Sequence, residues 1–321
     1  MLLYYHLVAF LVVAIWGSTF VFTKLLLMGG LSPAQIFTLR FIIAYLLLLA
    51  YELTFKRQTF RAFCHSVKDE LLMVALGITG GSLYFLAENS AMNYTTTTNT
   101  SLIVCLCPLF ASFFIGMFYK SERLRSIQIV GTLMAAIGVV VVVLNGRFVL
   151  HLSPLGDSLA FLACLCWAFY SLLMIPANKK YHTVFITRKV FFYGLLSMIP
   201  YYIYRPEEAV VFTPQVVDVF TLPMFLNLLF LGCVASMLCY LAWCWVMKKL
   251  GAVIATNYVY FNPVVTILFA WVILSEQITV YFLIGTVLIL VGMYLCDKTD
   301  QRKPADLPTQ VVKTDGIDQK A

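Results

Sequence analysis

Three ionisable side chains, Lys24, Arg40 and Glu88, stand inside long apolar stretches of this 321-residue sequence. A charge placed in hydrocarbon is costly, so each is a candidate functional group by default. Lys24 and Glu88 lie about four residues, and Arg40 about seven, from the same side of their stretches, roughly 6 Å and 10 Å deep at helical rise. That shared depth groups the three as an intramembrane charge cluster. Glu88 can neutralise one cation and leave a formal charge of +1, which suits a solute carboxylate. It can equally carry a coupling proton. A third arrangement is structural: Lys24 snorkels to the surface and Glu88 pairs with Arg40. The residues leave all three open.

Around the same level lie side chains that combine apolar faces with neutral donors and acceptors. Trp16, Thr19, Tyr84, Trp167, Tyr170, Tyr240, Asn257, Tyr260 and Asn262 are the substrate-binding candidates. Trp16, Thr19 and Thr23 follow i, i+3, i+7 spacing and share one helix face. Such a lining suits a small amphipathic solute better than a highly charged phosphate ester. No catalytic set, metal site or cofactor motif is expected. The four histidines have no metal-ligand spacing within one helix. Cys105/Cys107 and Cys164/Cys166 sit two apart on helices, about 200° apart around the axis, and cannot share a metal. The nine cysteines read as small packing residues.

These side chains must be positioned by membrane helices. Apolar residues make up 62% of the chain and charged ones 12%, with a mean hydropathy of +0.91. A soluble domain is closer to 45–50% and 25%. A spanning helix needs about 20 apolar residues. Ten stretches qualify, near 6–28, 33–52, 70–92, 96–118, 126–144, 156–176, 184–204, 222–247, 252–274 and 279–296. With the N-terminus in the cytoplasm, 18 of the 22 basic residues fall in inner loops and the tail, and only Arg147 and Arg205 outside. This positive-inside bias predicts that both termini are cytoplasmic. The net charge of +7 is thus a topology signal and does not imply nucleic acid.

The chain also repeats itself. Leu76-Gly77, Pro108, Glu122, Gly131 and Gly138 recur as Leu231-Gly232, Pro263, Glu276, Gly285 and Gly292. Five spans per copy make the copies antiparallel in the bilayer, the arrangement of inverted-repeat carriers. The expected fold is therefore all-α, ten transmembrane helices as two inverted five-helix repeats. The first repeat is expected over 1–147 and the second over 153–297, followed by a disordered cytoplasmic tail, 298–321. Pro108 and Pro263 predict helix kinks at equivalent places, where freed carbonyls need a partner or a wet cavity. The glycines seven apart predict that helices 5 and 10 pack closely, against each other or against a neighbouring subunit.

The ordered set of Trp16-Gly17 with Lys24, Arg40, Pro108…Glu122 and Pro263…Glu276 on ten spans resembles the drug/metabolite transporter superfamily, in its EamA-type members. The resemblance covers roughly residues 5–297. It implies a carrier whose central cavity is lined mainly by helices 1, 3, 4, 6, 8 and 9, and metabolite export driven by a gradient. One departure stands in helix 6, where no lysine follows Trp167 eight residues on. The expected function is that of a secondary transporter, an exporter of an amino acid or related amphipathic solute by alternating access. It is not expected to be an enzyme. The alternatives are a membrane-embedded transferase and a non-transporting scaffold. The expected setting is the plasma (inner) membrane, with the lipid bilayer, a small-molecule substrate and a coupling proton as partners. Oligomeric state, coupling ion and the identity of the solute are open.

Overall fold

The computed structural model describes residues 2–55, 60–95, 97–119, 124–144, 153–209, 221–274 and 279–298. Glu122, Glu276, Arg147 and the tail beyond residue 298 lie outside these. Ten helical spans follow in order among the described residues. α1 is Leu2–Met28, α2 is Pro33–Phe55, and α3 runs over Val67–Tyr94. α4 comprises Thr97–Val104 and Cys107–Phe118, and α5 is Ser126–Leu144. α6 is Pro154–Lys180, and α7 comprises Thr183–Leu196 and Ile199–Tyr204. α8 runs over Leu222–Leu250. α9 comprises Ala252–Asn257, a 3₁₀ turn Tyr258–Phe261 and Asn262–Leu274; α10 is Val280–Lys298. Seven of these helices are long and apolar enough to cross a membrane and two more are shorter and apolar, which makes this a multi-pass membrane protein; the helix order is that of two inverted five-helix repeats.

Local chemistry sets the ends and the breaks. Ser66 and Ser153 cap α3 and α6 by accepting hydrogen bonds from the Asp69 and Gly156 amides. Gly251, at φ +87°, provides the tight turn between α8 and α9. Proline cannot donate to the helical ladder. α4 accordingly breaks just before Cys107-Pro108, α9 just before Asn262-Pro263, and α7 just before Ile199-Pro200.

α3 and α8 each loosen into a π-helical stretch, at Ile78–Ser82 and Phe230–Leu238. Shifted by the repeat offset of 155, the first falls inside the second. Extra-residue turns of this kind free backbone carbonyls and are common at functional sites. The small residues there, Gly80, Gly81, Gly232 and Ala235, let neighbouring helices come close.

The two copies interlock through equivalent contacts. A Cβ on Gly77 of α3 would stand 2.6 Å from the Cβ of Tyr193 on α7. A Cβ on Gly232 of α8 would stand 2.7 Å from Ile43 on α2. Each copy's third helix therefore packs on the other copy's second. α5 and α10 lie against each other: a Cβ on Gly131 would sit 2.6 Å from the Gly292 carbonyl oxygen, and one on Gly138 2.8 Å from that of Gly285. This seam is scaffold.

One end of the bundle is stitched by ion pairs between the copies. Glu52 on α2 pairs with Arg188 on α7, and Glu70 on α3 with Lys189 on α7. Asp69 on α3 pairs with Lys180 on α6 at 2.6 Å. Tyr181 donates to Asp69 at 2.9 Å, and the Cys64 amide donates to Glu70 at 2.7 Å. Arg188 and Lys189, counted above among the inner-loop cations although they fall within the 184–204 stretch, are thus on a helix. Both lie in the first turns of α7, 4% and 2% exposed, because acids on α2 and α3 await them there.

Candidate functional site

Each π-helical stretch has a carbonyl capped by an aromatic side chain of the other half. Tyr240 on α8 donates its hydroxyl to the Gly80 carbonyl at 2.5 Å. Trp16 on α1 donates Nε1–H to the Ala235 carbonyl at 2.9 Å. Gly80 and Ala235 are 155 residues apart and thus equivalent in the two copies. These bonds fix two large aromatic side chains at the interface between the halves.

The rings assemble into a continuous wall. Trp16 meets Trp167 edge to face at 5.2 Å between centroids. Tyr84 lies 5.1 Å from Trp167, and Trp243 lies 5.0 Å from Trp16. Between them is a small chamber lined by Trp16, Thr19, Phe20, Arg40, Tyr84, Phe85, Glu88, Val104, Cys107, Trp167, Tyr240, Val259 and Asn262. Its free volume is about 30 Å³, room for roughly two water molecules. The lining comes from α1, α2, α3, α4, α6, α8 and α9. The two proline breaks deliver Cys107 and Asn262 to it, the residues immediately before Pro108 and Pro263.

Arg40 and Glu88 both face this chamber, and each is held on one side only. Arg40 donates Nε–H to Ser236 at 2.9 Å and lies 4.4 Å over the Phe85 ring. Glu88 accepts the Tyr84 hydroxyl at Oε1, at 2.6 Å. Among the described residues no ion pair within 4 Å includes either of them. Trp167 Nε1 and Asn262 Oδ1 are buried and have no hydrogen-bond partner. A buried polar atom left in this way calls for an explanation, such as a ligand it is meant to meet.

The other candidates are placed differently. Lys24 does not join Arg40 and Glu88; its Nζ donates to the Met92 carbonyl at 3.3 Å. Tyr170 stands behind the wall, 5.0 Å from the Trp167 ring. Asn257 and Tyr260 are buried outside the chamber lining, at the α9 break, with amide and hydroxyl groups that find no partner. Sequence reasoning passed over Phe20, Phe85, Val104, Cys107 and Val259 in the lining, and Ser236, which holds Arg40. Ser236 had a signal: it falls in the small-residue run of α8 that mirrors Gly80-Gly81.

Similarity to known proteins agrees with this architecture. The EamA-like transporter family matches residues 3–144 and again 154–296. A protein of Archaeoglobus fulgidus named as an uncharacterized transporter is 27% identical over 293 residues, covering 90% of this chain and 96% of the relative. A probable amino-acid metabolite efflux pump of Escherichia coli (strain K12) is 27% identical, covering 89% of this chain and 92% of its own length. Its Salmonella typhimurium namesake is 28% identical over the same shares. A solved crystal structure superposes with a TM-score of 0.70 at 20% identity, over 93% of this chain and 98% of that one, and shows the common fold. With both halves of the chain matched, the protein belongs to the EamA-like transporter family.

Proposed function

We propose that this protein is a secondary transporter that exports a small amphipathic metabolite, an amino acid or a close relative, by alternating access. It works in the plasma (inner) membrane with both termini in the cytoplasm. The observation that carries this reading is the chamber between the two halves, where Arg40 and Glu88 stand without an ion pair and the buried Trp167 Nε1 and Asn262 Oδ1 without a hydrogen bond, beside an aromatic wall. The chamber is contracted, so a solute enters only when the walls part on one side. The ion pairs between α2, α3, α6 and α7 close the basic end, which the positive-inside bias assigns to the cytoplasm. Opening that end requires α7 to leave Glu52 and Glu70. The relatives named as amino-acid metabolite efflux pumps support both the solute class and the direction.

Exchange in proteoliposomes tests the reading. Vesicles containing the purified full chain are loaded in turn with amino acids, N-acylated and amidated amino acids, sugars and nucleosides, and uptake of the labelled counterpart is followed. Saturable exchange of at least one compound, lost when Trp16 and Trp167 are both replaced by Ala, is the expected result. Protein that is folded and inserted yet exchanges nothing in the panel, or that alters a compound chemistry without moving it, overturns the proposal.

A further inference from the structure

The chain treats its buried charges in two distinct ways. At the basic end the acids Glu52 and Asp69, which are buried, and Glu70, which is half-buried, each have a cationic partner: Arg188, Lys180 and Lys189. In the chamber the fold brings one guanidinium and one carboxylate to the same enclosed space and does not pair them. Arg40 is 2% exposed and Glu88 is 7% exposed. Each is steadied by a neutral group, Ser236 in one case and Tyr84 in the other. Burying a charge without an opposite charge is costly. Two opposite charges kept beyond ion-pair reach in one small chamber form a gap with a cationic side and an anionic side.

Solute charge decides what closes such a gap. An anion satisfies Arg40 and leaves Glu88 repelled; a cation does the reverse. A molecule carrying both charges a few ångströms apart satisfies both at once and adds no net charge to the low-dielectric interior. The guanidinium fork suits a carboxylate. The free Glu88 oxygen suits an ammonium, and the Trp16, Trp167 and Tyr84 rings are a surface on which a cation is welcome. Trp167 Nε1–H and Asn262 Oδ1 add one more donor and one more acceptor. The rest of the lining, Phe20, Phe85, Val104 and Val259, is apolar.

Building on the chamber as the solute site, we propose that it is a zwitterion site, in which Arg40 receives the carboxylate and Glu88 the ammonium of an α-amino acid with an apolar side chain. The side chain lies along Phe20, Val104 and Val259. Lys24, bound to the Met92 carbonyl, takes no part.

Trp16 and Trp167 line the chamber, so quenching of tryptophan fluorescence reads occupancy of the purified full chain in lipid nanodiscs. The probes are leucine, methionine and phenylalanine, together with leucinamide, which keeps only the ammonium, and N-acetylleucine, which keeps only the carboxylate. The wild-type protein is expected to bind leucine about tenfold or more tighter than either single-charge analogue, the usual worth of a charge-assisted hydrogen bond. Arg40→Gln should abolish the preference for leucine over leucinamide and leave leucinamide binding intact. Glu88→Gln should abolish the preference over N-acetylleucine in the same way. The charge-conserving Arg40→Lys and Glu88→Asp should retain part of each preference, and the wild-type comparison stands even if a variant fails to fold. Equal or tighter binding of either analogue to the wild-type protein overturns the proposal, as does failure to bind all three amino acids. Proteoliposome exchange of a singly charged compound without exchange of leucine would remove the zwitterion site and leave the transporter reading in place.

Discussion

Glu52→Gln is the substitution that most directly tests how the two halves are held together at the basic end. Glu52 and Arg188 side chains are 8% and 5% exposed, so removing the carboxylate strands a guanidinium away from water. Breaking a buried pair by deleting one partner costs about 3–5 kcal/mol. Two contacts soften the loss here. Arg188 also donates to the Arg61 carbonyl, and its guanidinium lies 4.6 Å over the Phe60 ring. The lower half of the range, about 3–4 kcal/mol, is therefore the expected penalty, a fall in melting temperature on the order of 10 °C. The double variant Glu52→Met with Arg188→Met removes both charges and keeps the volume. Such replacements are close to neutral or stabilising, so it should melt within about 3 °C of the wild-type protein. The assay is thermal unfolding in one detergent, with exchange activity measured in parallel. The double variant should also expose a cysteine placed in the chamber to thiol reagent from the basic end more often than the wild-type protein does. A single variant as stable as the wild type would show that the pair carries no energy across the halves, and a double variant no better than the single would show that the loss is not that of a stranded charge; either refutes the reasoning.

Two further outcomes follow from the geometry. Tyr240→Phe keeps the ring and deletes the donor to the Gly80 carbonyl, leaving a buried acceptor unsatisfied at about 1–3 kcal/mol; it should lower the melting temperature by several degrees while the aromatic wall stays in place, and an unchanged melting temperature would show that the carbonyl finds another partner. Cys64 lies between α2 and α3, where burial first, and then hydrogen bonding to and the charge of Glu70, push its thiol up to about 11. A raised thiol pKa means less thiolate, so with Cys64 as the sole cysteine, maleimide labelling at pH 8 should run about two orders of magnitude below that of an ordinary thiol. The rate should climb about tenfold per pH unit to near pH 10 and rise at pH 8 on Glu70→Gln; a rate at pH 8 equal to that of free cysteine would contradict this half-buried setting beside Glu70.

What could be read from the sequence was whatever is local or periodic. Span lengths follow from hydropathy, and the breaks in α4 and α9 from Pro108 and Pro263. The α5–α10 seam follows from glycines seven apart. Rise per residue gives a charged residue's place along its helix, but not its direction around the bundle. That is why Lys24, grouped with Arg40 and Glu88 by its place along the helix, turns out on the Met92 carbonyl. Arg40 meets Ser236, 196 residues away in the chain, and Glu52 meets Arg188 across the halves. No spacing rule within one helix encodes such pairs. The π-helical stretches were visible only as clusters of small residues, since a bulge leaves no composition of its own.

The repeat explains the scaffold, and its imperfections explain the chamber. The backbone carbonyls of Gly80 and Ala235 are equivalent, and a symmetric protein would cap them with equivalent donors. Trp16 caps Ala235, so its counterpart Trp167 would be expected on Gly80. Tyr240 holds that place instead. Trp167, which lines the chamber, is thereby left with an unspent N–H. The counterpart of Tyr240 at the 155-residue offset is Phe85, which has no hydroxyl to cap anything and lies beneath the Arg40 guanidinium. One aromatic pair has thus divided its duties, Tyr240 closing the backbone and Phe85 supporting the cation. Arg40 itself stands on α2, while the matching helix α7 carries its cations, Arg188 and Lys189, into ion pairs at the basic end. The two copies share one scaffold, and the substitutions that break their likeness give the chamber its polar groups.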